Sequence, residues 1–274
     1  MHPLQLRKRV AITGKDFFGR DAWIIFEPYD APGWYWKYHP DEEPVQISAD
    51  LFQHRPRRVA LVHENAVLEV FEHIAALRWT GLVDGVCISS STHPPFFGRT
   101  QELWEAIKPK CEFITSQEVA WCTPSFPPAS GFSRRGGITR IDSADHKLLR
   151  VKIVCYYDGL GEQALSVELP NPGALAVALM VYTPGWPLWL YYVSLIAKTL
   201  GWSHHKRIVW PQRDGDNARE VLDKFLWHRL QDLLGMLAFA HPTALLAGFV
   251  ESSSSGHEAD IAALKIIGGN LRLL

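Results

Sequence analysis

Neither charge sign dominates this sequence: 28 Lys+Arg stand against 29 Asp+Glu, a formal net charge of −1. That removes the broad basic footprint a nucleic-acid binder carries. Cysteine is scarce: Cys87, Cys111, Cys122 and Cys155 are the whole set, with no CxxC pair. A disulfide framework is thereby excluded, and reduced thiols in a cytoplasmic protein are expected. The start MHPLQLRKRVAITG lacks the apolar run of a secretory signal.

What is present is an ordinary globular balance, 47% hydrophobic and 21% charged over 274 residues. Disorder, collagen-like repeats and coiled coil do not fit it. Two features stand out, the 11 Trp and a run from Leu169 to Ala197 with no charged side chain. The run is long enough to raise a membrane span. Pro170, Pro172, Pro184 and Pro187 divide it, however. Each removes a helix hydrogen bond that lipid cannot replace. The longest proline-free piece, Gly173–Thr183, is about half of what a span requires. The expectation is a buried strand or short helix, a turn at Thr183–Pro187 and an apolar helix Leu188–Leu200, with no integral span.

Strands are expected at Arg9–Thr13, Ala22–Glu27, Gly33–Lys37, Arg57–His63 and Val83–Ser89, where β-branched and aromatic residues lie between turn formers. Helical spacing marks Val70–Thr80 and Thr100–Lys108, with Thr100 as N-cap. Cys122–Gly137 (CTPSFPPASGFSRRGG) reads as a linker between a domain of residues 1–121 and one of 138–274. The second part repeats the logic. A strand pair, Lys147–Tyr157 and Gln163–Leu169, precedes the apolar run, then a strand at Lys206–Trp210 and a helix at Ala218–Ala240 capped by Asp216 or Asn217. A strand Leu245–Glu251 and a helix His257–Ile267 follow. Two similar α+β halves are expected.

The long helix carries His228 and Asp232, four apart and so about 40° apart on one face. Val221, Phe225 and Met236 share that side. A hydrogen-bonded core pair and two thirds of a zinc site are both consistent with this pattern. Glu72-His73 lies in the apolar helix VFEHIAAL. His73 would complete a His₂Asp set with one position left for water, and Glu72 could serve as general base. The loop Ser254-Ser255-Gly256-His257 offers a histidine as acid or oxyanion stabiliser, or simply a helix start.

In this order the motifs resemble the UDP-3-O-acyl-N-acetylglucosamine deacetylases, the zinc amidases of lipid A biosynthesis. The resemblance runs from Thr13-Gly14 and Phe26-Glu27-Pro28 through Glu72-His73-Ile74-Ala75-Ala76-Leu77 and Thr183-Pro184-Gly185-Trp186. It continues in Arg207-Ile208-Val209, the His228 helix, Ala240-His241-Pro242 and Ser255-Gly256-His257. It implies two layered α+β domains packed face to face with a metal site at their junction. It implies His73, His228 and Asp232 as ligands of Zn²⁺ (Fe²⁺ as the alternative), Glu72 as general base, Thr183 at the oxyanion and His257 as a cation or acid. The substrate would be a small N-acyl sugar or sugar nucleotide losing an acetyl or acyl group, and the location cytoplasmic, with peripheral contact at the inner membrane.

Departures accompany it. Phe17 or Phe18 stands where the family has a histidine, and Arg229 where it has a lysine. Arg229 keeps the charge and is expected to meet a substrate phosphate. Met236 replaces an aspartate that would hold the loop histidine cationic. His257 is then expected to titrate lower or to find Glu258 or Asp260. The insert near 184–210 is apolar, and Trp186, Trp189, Tyr191 and Tyr192 either line an acyl passage or pack as core. The pattern favours a divergent paralogue. The rival is a non-catalytic metal- or ligand-binding protein on the same scaffold.

Overall fold

Side chains on a strand alternate between faces, and Asp21–Pro28 shows the consequence: Ala22, Ile24 and Phe26 are buried while Asp21 and Trp23 reach solvent. The structure, a computed structural model, describes residues 1–16, 18–55, 58–95, 100–126, 128–157, 161–171, 218–254 and 256–274. Within them the protein is mixed α+β, with several sheets and helices at both ends of the chain.

The first large sheet joins β2 (Val10–Lys15), β3 (Asp21–Pro28), β4 (Trp34–Trp36), β5 (Val45–Gln46) and β9 (Val86–Ser90) in the order β2-β3-β9-β4-β5. Beside it β1 (Leu4–Leu6) pairs with β10 (Cys111–Phe113). A smaller sheet holds β6 (Phe52–Arg55), β7 (Arg58–His63) and β8 (Ala66–Leu68). Helix α1 (Phe71–Ala75) follows and tightens into a 3₁₀ turn, Ala76–Thr80, before β9; α2 (Thr100–Ile107) comes after β9.

The second large sheet joins β12 (Ala129–Phe132), β13 (Ile138–Asp142), β14 (Leu149–Tyr157), β15 (Gly161–Leu169) and β17 (Gly248–Ser253) in the order β12-β13-β17-β14-β15. Helix α3 (Ala218–Leu237) lies between β15 and β17, and α4 (His257–Ile267) follows β17. A short sheet places β11 (Trp121–Pro124) between β16 (Leu245–Leu246) and β18 (Leu271–Leu273).

The two large sheets share one topology. Each has two hairpins flanking a central strand, all pairs antiparallel except one, β4–β9 in the first and β14–β17 in the second. Each central strand is preceded by a helix, α1 or α3, and followed by another, α2 or α4. So Glu72-His73 and His228/Asp232 occupy corresponding places, each on the helix before a central strand, in a repeat of which the sequence shows only the coarse element order. Helix α3 packs on α1 and α4. From Leu230 to Leu237 its side chains are buried, as in a helix enclosed by the core.

The expected linker 122–137 contains β11 and β12, with Cys122, Thr123 and Ala129 buried. Its glycine had suggested open chain. A Cβ at Gly131 would stand 2.1 Å from the Ala259 carbonyl oxygen and 2.3 Å from the Ala263 nitrogen, so the glycine admits α4 against β12. Thr100 opens α2 but turns its hydroxyl to the His73 carbonyl oxygen, 3.3 Å away. Of the charge-free run, residues 172–197 lie outside the described residues, as do the expected Leu188–Leu200 helix, the 206–210 strand and the capping pair Asp216 and Asn217. No described helix is long and apolar enough to cross a membrane.

The β2–β3 hairpin is closed by Asp16, buried at 2% exposure. Its Oδ1 accepts the Phe18 and Arg20 amides at 2.8 and 2.9 Å, and Oδ2 pairs with the Arg20 guanidinium at 2.7 Å. Burial pushes the Asp16 pKa up, but these bonds prevail and hold it below the ordinary value. A carboxyl with a depressed folded-state pKa stabilises above its unfolded pKa and loses that contribution as pH falls through the folded one. Asp16→Ala is expected to cost about 1–3 kcal/mol at pH 7. The difference should shrink toward pH 3 in urea unfolding at both pH values, and a pH-independent difference would refute the ionised cap.

Candidate metal centre

Helix α1 supplies Glu72 and His73 as neighbours, which helical geometry turns about 100° apart. Glu72 turns to β7, where its Oε2 accepts the Val59 amide at 3.0 Å. His73 turns to α3, which presents His228 and Asp232 on one face. Three imidazole Nε2 atoms converge on the Asp232 carboxylate: His73 at 3.3 Å, His228 at 3.5 Å and His257, at the start of α4, at 3.8 Å. The His73 and His228 rings stand perpendicular, with centroids 5.3 Å apart. Donor atoms of His73, His228 and Asp232 lie within 4.8 Å of one another, and so do those of Glu72, Asp232 and His257. Glu72, Asp232 and His257 are buried, and His73 and His228 nearly so.

Three features hold the two helices together here. Gly235 lets α3 touch α1 backbone to backbone: a Cβ on it would lie 2.0 Å from the Glu72 carbonyl oxygen. Just after α1, the Trp79 Nε1 donates to the Leu234 carbonyl at 2.8 Å. Arg78, fully buried, grips the end of α3. Its guanidinium donates to the carbonyls of Ala238, His241 (3.0 Å), Pro242 (2.9 Å) and Val83 (3.3 Å) and stacks 4.5 Å from the Phe239 ring centre. Arginine thus satisfies carbonyls at and beyond a helix C-terminus. A further chain runs from the Gln231 amide to the Thr100 hydroxyl and on to the His73 carbonyl. Val70, two residues before Glu72, has φ +58°. A β-branched residue there stores roughly 1–3 kcal/mol of strain, which tends to collect at functional sites.

Electrostatics sort the cluster. Burial drives the His228 pKa down to about 4, leaving a neutral imidazole with a free lone pair. Burial would also lower His73, but Asp232 and Glu72 beside it outweigh that and raise it. Burial would raise Asp232, yet His228, His73 and His257 hold it well below the ordinary carboxylate value. Burial raises Glu72 against the pull of His257 and His73. Asp232 is therefore a buried anion, and the site favours a cation.

The donor set fits a metal ion better than a plain ion-pair cluster. Ligands about 2.0–2.1 Å from a tetrahedral ion stand roughly 3.3–3.4 Å from each other; His73 Nε2 lies 3.3 Å from Asp232 Oδ1 and His228 Nε2 3.5 Å from Oδ2, a comparable spacing with one histidine to each carboxylate oxygen. Charge-assisted hydrogen bonds are shorter, about 2.7–2.9 Å. Among the described residues the Nδ1 atoms of His228 and His257 are buried without a hydrogen-bond partner, which a bound group would help to explain. Two nitrogens and a carboxylate suit zinc and also iron.

The structure thus brings together His73, His228, Asp232, Glu72 and His257. Thr183, Trp186 and Trp189 lie outside the described residues. Two expectations are corrected. Arg229, expected against a phosphate, is drawn inward: its Nη2 lies 2.7 and 2.6 Å from the two oxygens of Asp260 and 3.0 Å from the Ser252 hydroxyl. A buried carboxylate requires a cation nearby, and Arg229 supplies it. His257 accordingly finds neither Asp260 nor Glu258, which pairs with Arg134 at 3.3 Å, and faces Asp232 instead. Of the two residues set against the family histidine, Phe17 lies outside the described residues, and Phe18 is half exposed and meets His93 edge-on at 5.2 Å. Sequence reasoning missed the structural parts played by Arg78, Trp79, Gln231 and Gly235. The glycine was detectable: in a helix interior it costs about 1 kcal/mol against alanine and calls for a packing reason. No family model matches this chain, and no curated protein does.

Proposed function

We propose that the protein is a metal-dependent amidase that removes an acetyl or acyl group from an N-acylated sugar, a divergent relative of the deacetylases named above. In this reading two α+β halves meet face to face, with the site between α1 and α3 at their junction. The observation that supports it is the meeting of His73 and His228 at the buried Asp232 carboxylate, with a second buried carboxyl, Glu72, in the same cluster. Zinc (or iron) held by those three residues would supply a Lewis acid and a water of lowered pKa. Glu72 takes the proton of the attacking water, for which its raised pKa suits it. His257, whose Nε2 lies 3.8 Å from the Asp232 carboxylate, delivers a proton to the departing amine. By the same resemblance Thr183 would serve at the oxyanion and Trp186 and Trp189 of the apolar insert at the acyl group of an N-acylated sugar or sugar nucleotide.

Met236 and the inward turn of Arg229 support a second reading, a protein that binds metal or ligand without turnover.

Elemental analysis decides the metal. About one equivalent of zinc or iron is expected in the purified protein or after reconstitution, falling below roughly a tenth in His228→Ala. A protein that takes up no metal sinks the amidase reading. A metallated protein that releases no acetate or fatty acid from a panel of N-acyl amino sugars and their nucleotides favours the second.

A further inference from the structure

We propose that Arg229 and Asp260 are positioning residues: a buried ion pair that sets the height and rotation of α4 so that His257 faces Asp232. The role given to His257 rests on the amidase reading; the geometry does not.

The pair forms one rung of a ladder between α3 and α4. Arg229 on α3 meets Asp260 on α4 at 2.6 Å, and Asp232 on α3 meets His257 on α4 at 3.8 Å. Each helix contributes residues three apart, and their order is reversed between the two. The helices are therefore antiparallel here, and the rungs are about one turn apart, near 4.5 Å of rise. Side chains at that spacing share a face, so fixing one rung fixes the azimuth of the other.

The first rung is anchored beyond the helices. Asp260 also accepts the Thr139 hydroxyl of β13 at 2.6 Å, and Arg229 donates to Ser252 of β17 at 3.0 Å. The second large sheet thus holds both partners. The second rung shows no such tie among the described residues: there His257 Nδ1 is buried without a hydrogen-bond partner, and nothing lies within 4 Å of a Cβ built on Gly256 before it. The orientation of His257 depends on where α4 starts, and the Arg229–Asp260 pair fixes that start. A phosphate-binding role for Arg229 would require it to abandon a carboxylate whose side chain is 0% exposed, an unfavourable exchange in a dry interior. The Arg229 contacts to both Asp260 oxygens and to the Ser252 hydroxyl all fall on Nη2.

The test reads His257 directly and requires neither metal nor substrate. Diethyl pyrocarbonate modification, followed residue by residue by mass spectrometry on the full chain, should find His257 slow and His39 fast. In Arg229→Met/Asp260→Leu, which removes both charges together, His257 should react at least tenfold faster. His73 and His228 should stay protected. Unchanged His257 labelling, or a common rise at all three histidines, overturns the proposal, because a merely structural pair loosens the site as a whole. Should that variant fail to fold, Asp260→Asn keeps the shape and weakens the pair. A several-fold selective rise at His257 then supports the proposal and no rise overturns it. A selective rise in a protein that binds no metal would leave the ladder standing and remove the amidase reading.

Discussion

Gly235→Ala is expected to destabilise the protein by about 3 kcal/mol or more and to lower its metal affinity together with its stability. Alanine is the better helix former by about 1 kcal/mol, so on an open helix the substitution would stabilise. The sign reverses here because the added Cβ would stand 2.0, 2.7 and 2.9 Å from the carbonyl oxygen, carbonyl carbon and Cα of Glu72. These are backbone atoms, which cannot rotate away like a flexible side chain. Overpacking costs roughly 1–3 kcal/mol where side chains can shift, and more is expected where two helices must part. Parting α1 from α3 moves Glu72 and His73 away from His228 and Asp232, so metal binding should fall at least tenfold. Urea unfolding and a chelator competition on the same samples check both effects. A variant as stable as the parent would show that the helices are not in backbone contact. Full metal affinity in a destabilised variant would separate the metal ligands from this contact.

How much the sequence discloses follows from how local each feature is. A strand with one buried face, such as β3, is legible because alternation is written within a few residues. The pair His228 and Asp232 is legible because a helix turns residue spacing directly into a shared face. The α1 helix begins as its apolar spacing indicates but narrows to a 3₁₀ turn, since Arg78 and Trp79 are drawn to the end of α3, a contact with no local signature. The segment 122–137 misled because proline, glycine and serine are as compatible with a short strand pressed against a helix as with open chain. The fate of Arg229 misled for a similar reason. Which anion an arginine meets depends on where Asp260 lands, and that is decided by the sheet topology. The likeness of the two large sheets is legible only as a coarse order of strands and helices; the pairing directions are not, because they tolerate nearly complete replacement of side chains.

Glu72→Gln is expected to keep the metal and lose turnover by about 10²–10⁴-fold, the contribution of a well-placed general base. Glutamine has nearly the shape of glutamate, and its amide oxygen can still accept the Val59 N–H that Glu72 holds at 3.0 Å. What it cannot do is take a proton. Glu72 is 2% exposed, so the neutral amide also removes a carboxylate that is costly to bury, and the melting temperature should not fall. Glu72→Ala is the contrasting variant. It leaves the Val59 N–H without an acceptor in the core, at about 1–3 kcal/mol, and its loss of activity would mix folding with chemistry. Metal content separates the remaining alternatives. Glu72 shares Asp232 with His257 in one cluster, while His73 and His228 share it in the other. Unchanged metal content in the glutamine variant assigns the ion to the histidine pair and the proton to Glu72. Loss of the metal would make Glu72 a ligand, and unchanged turnover would remove it from the chemistry.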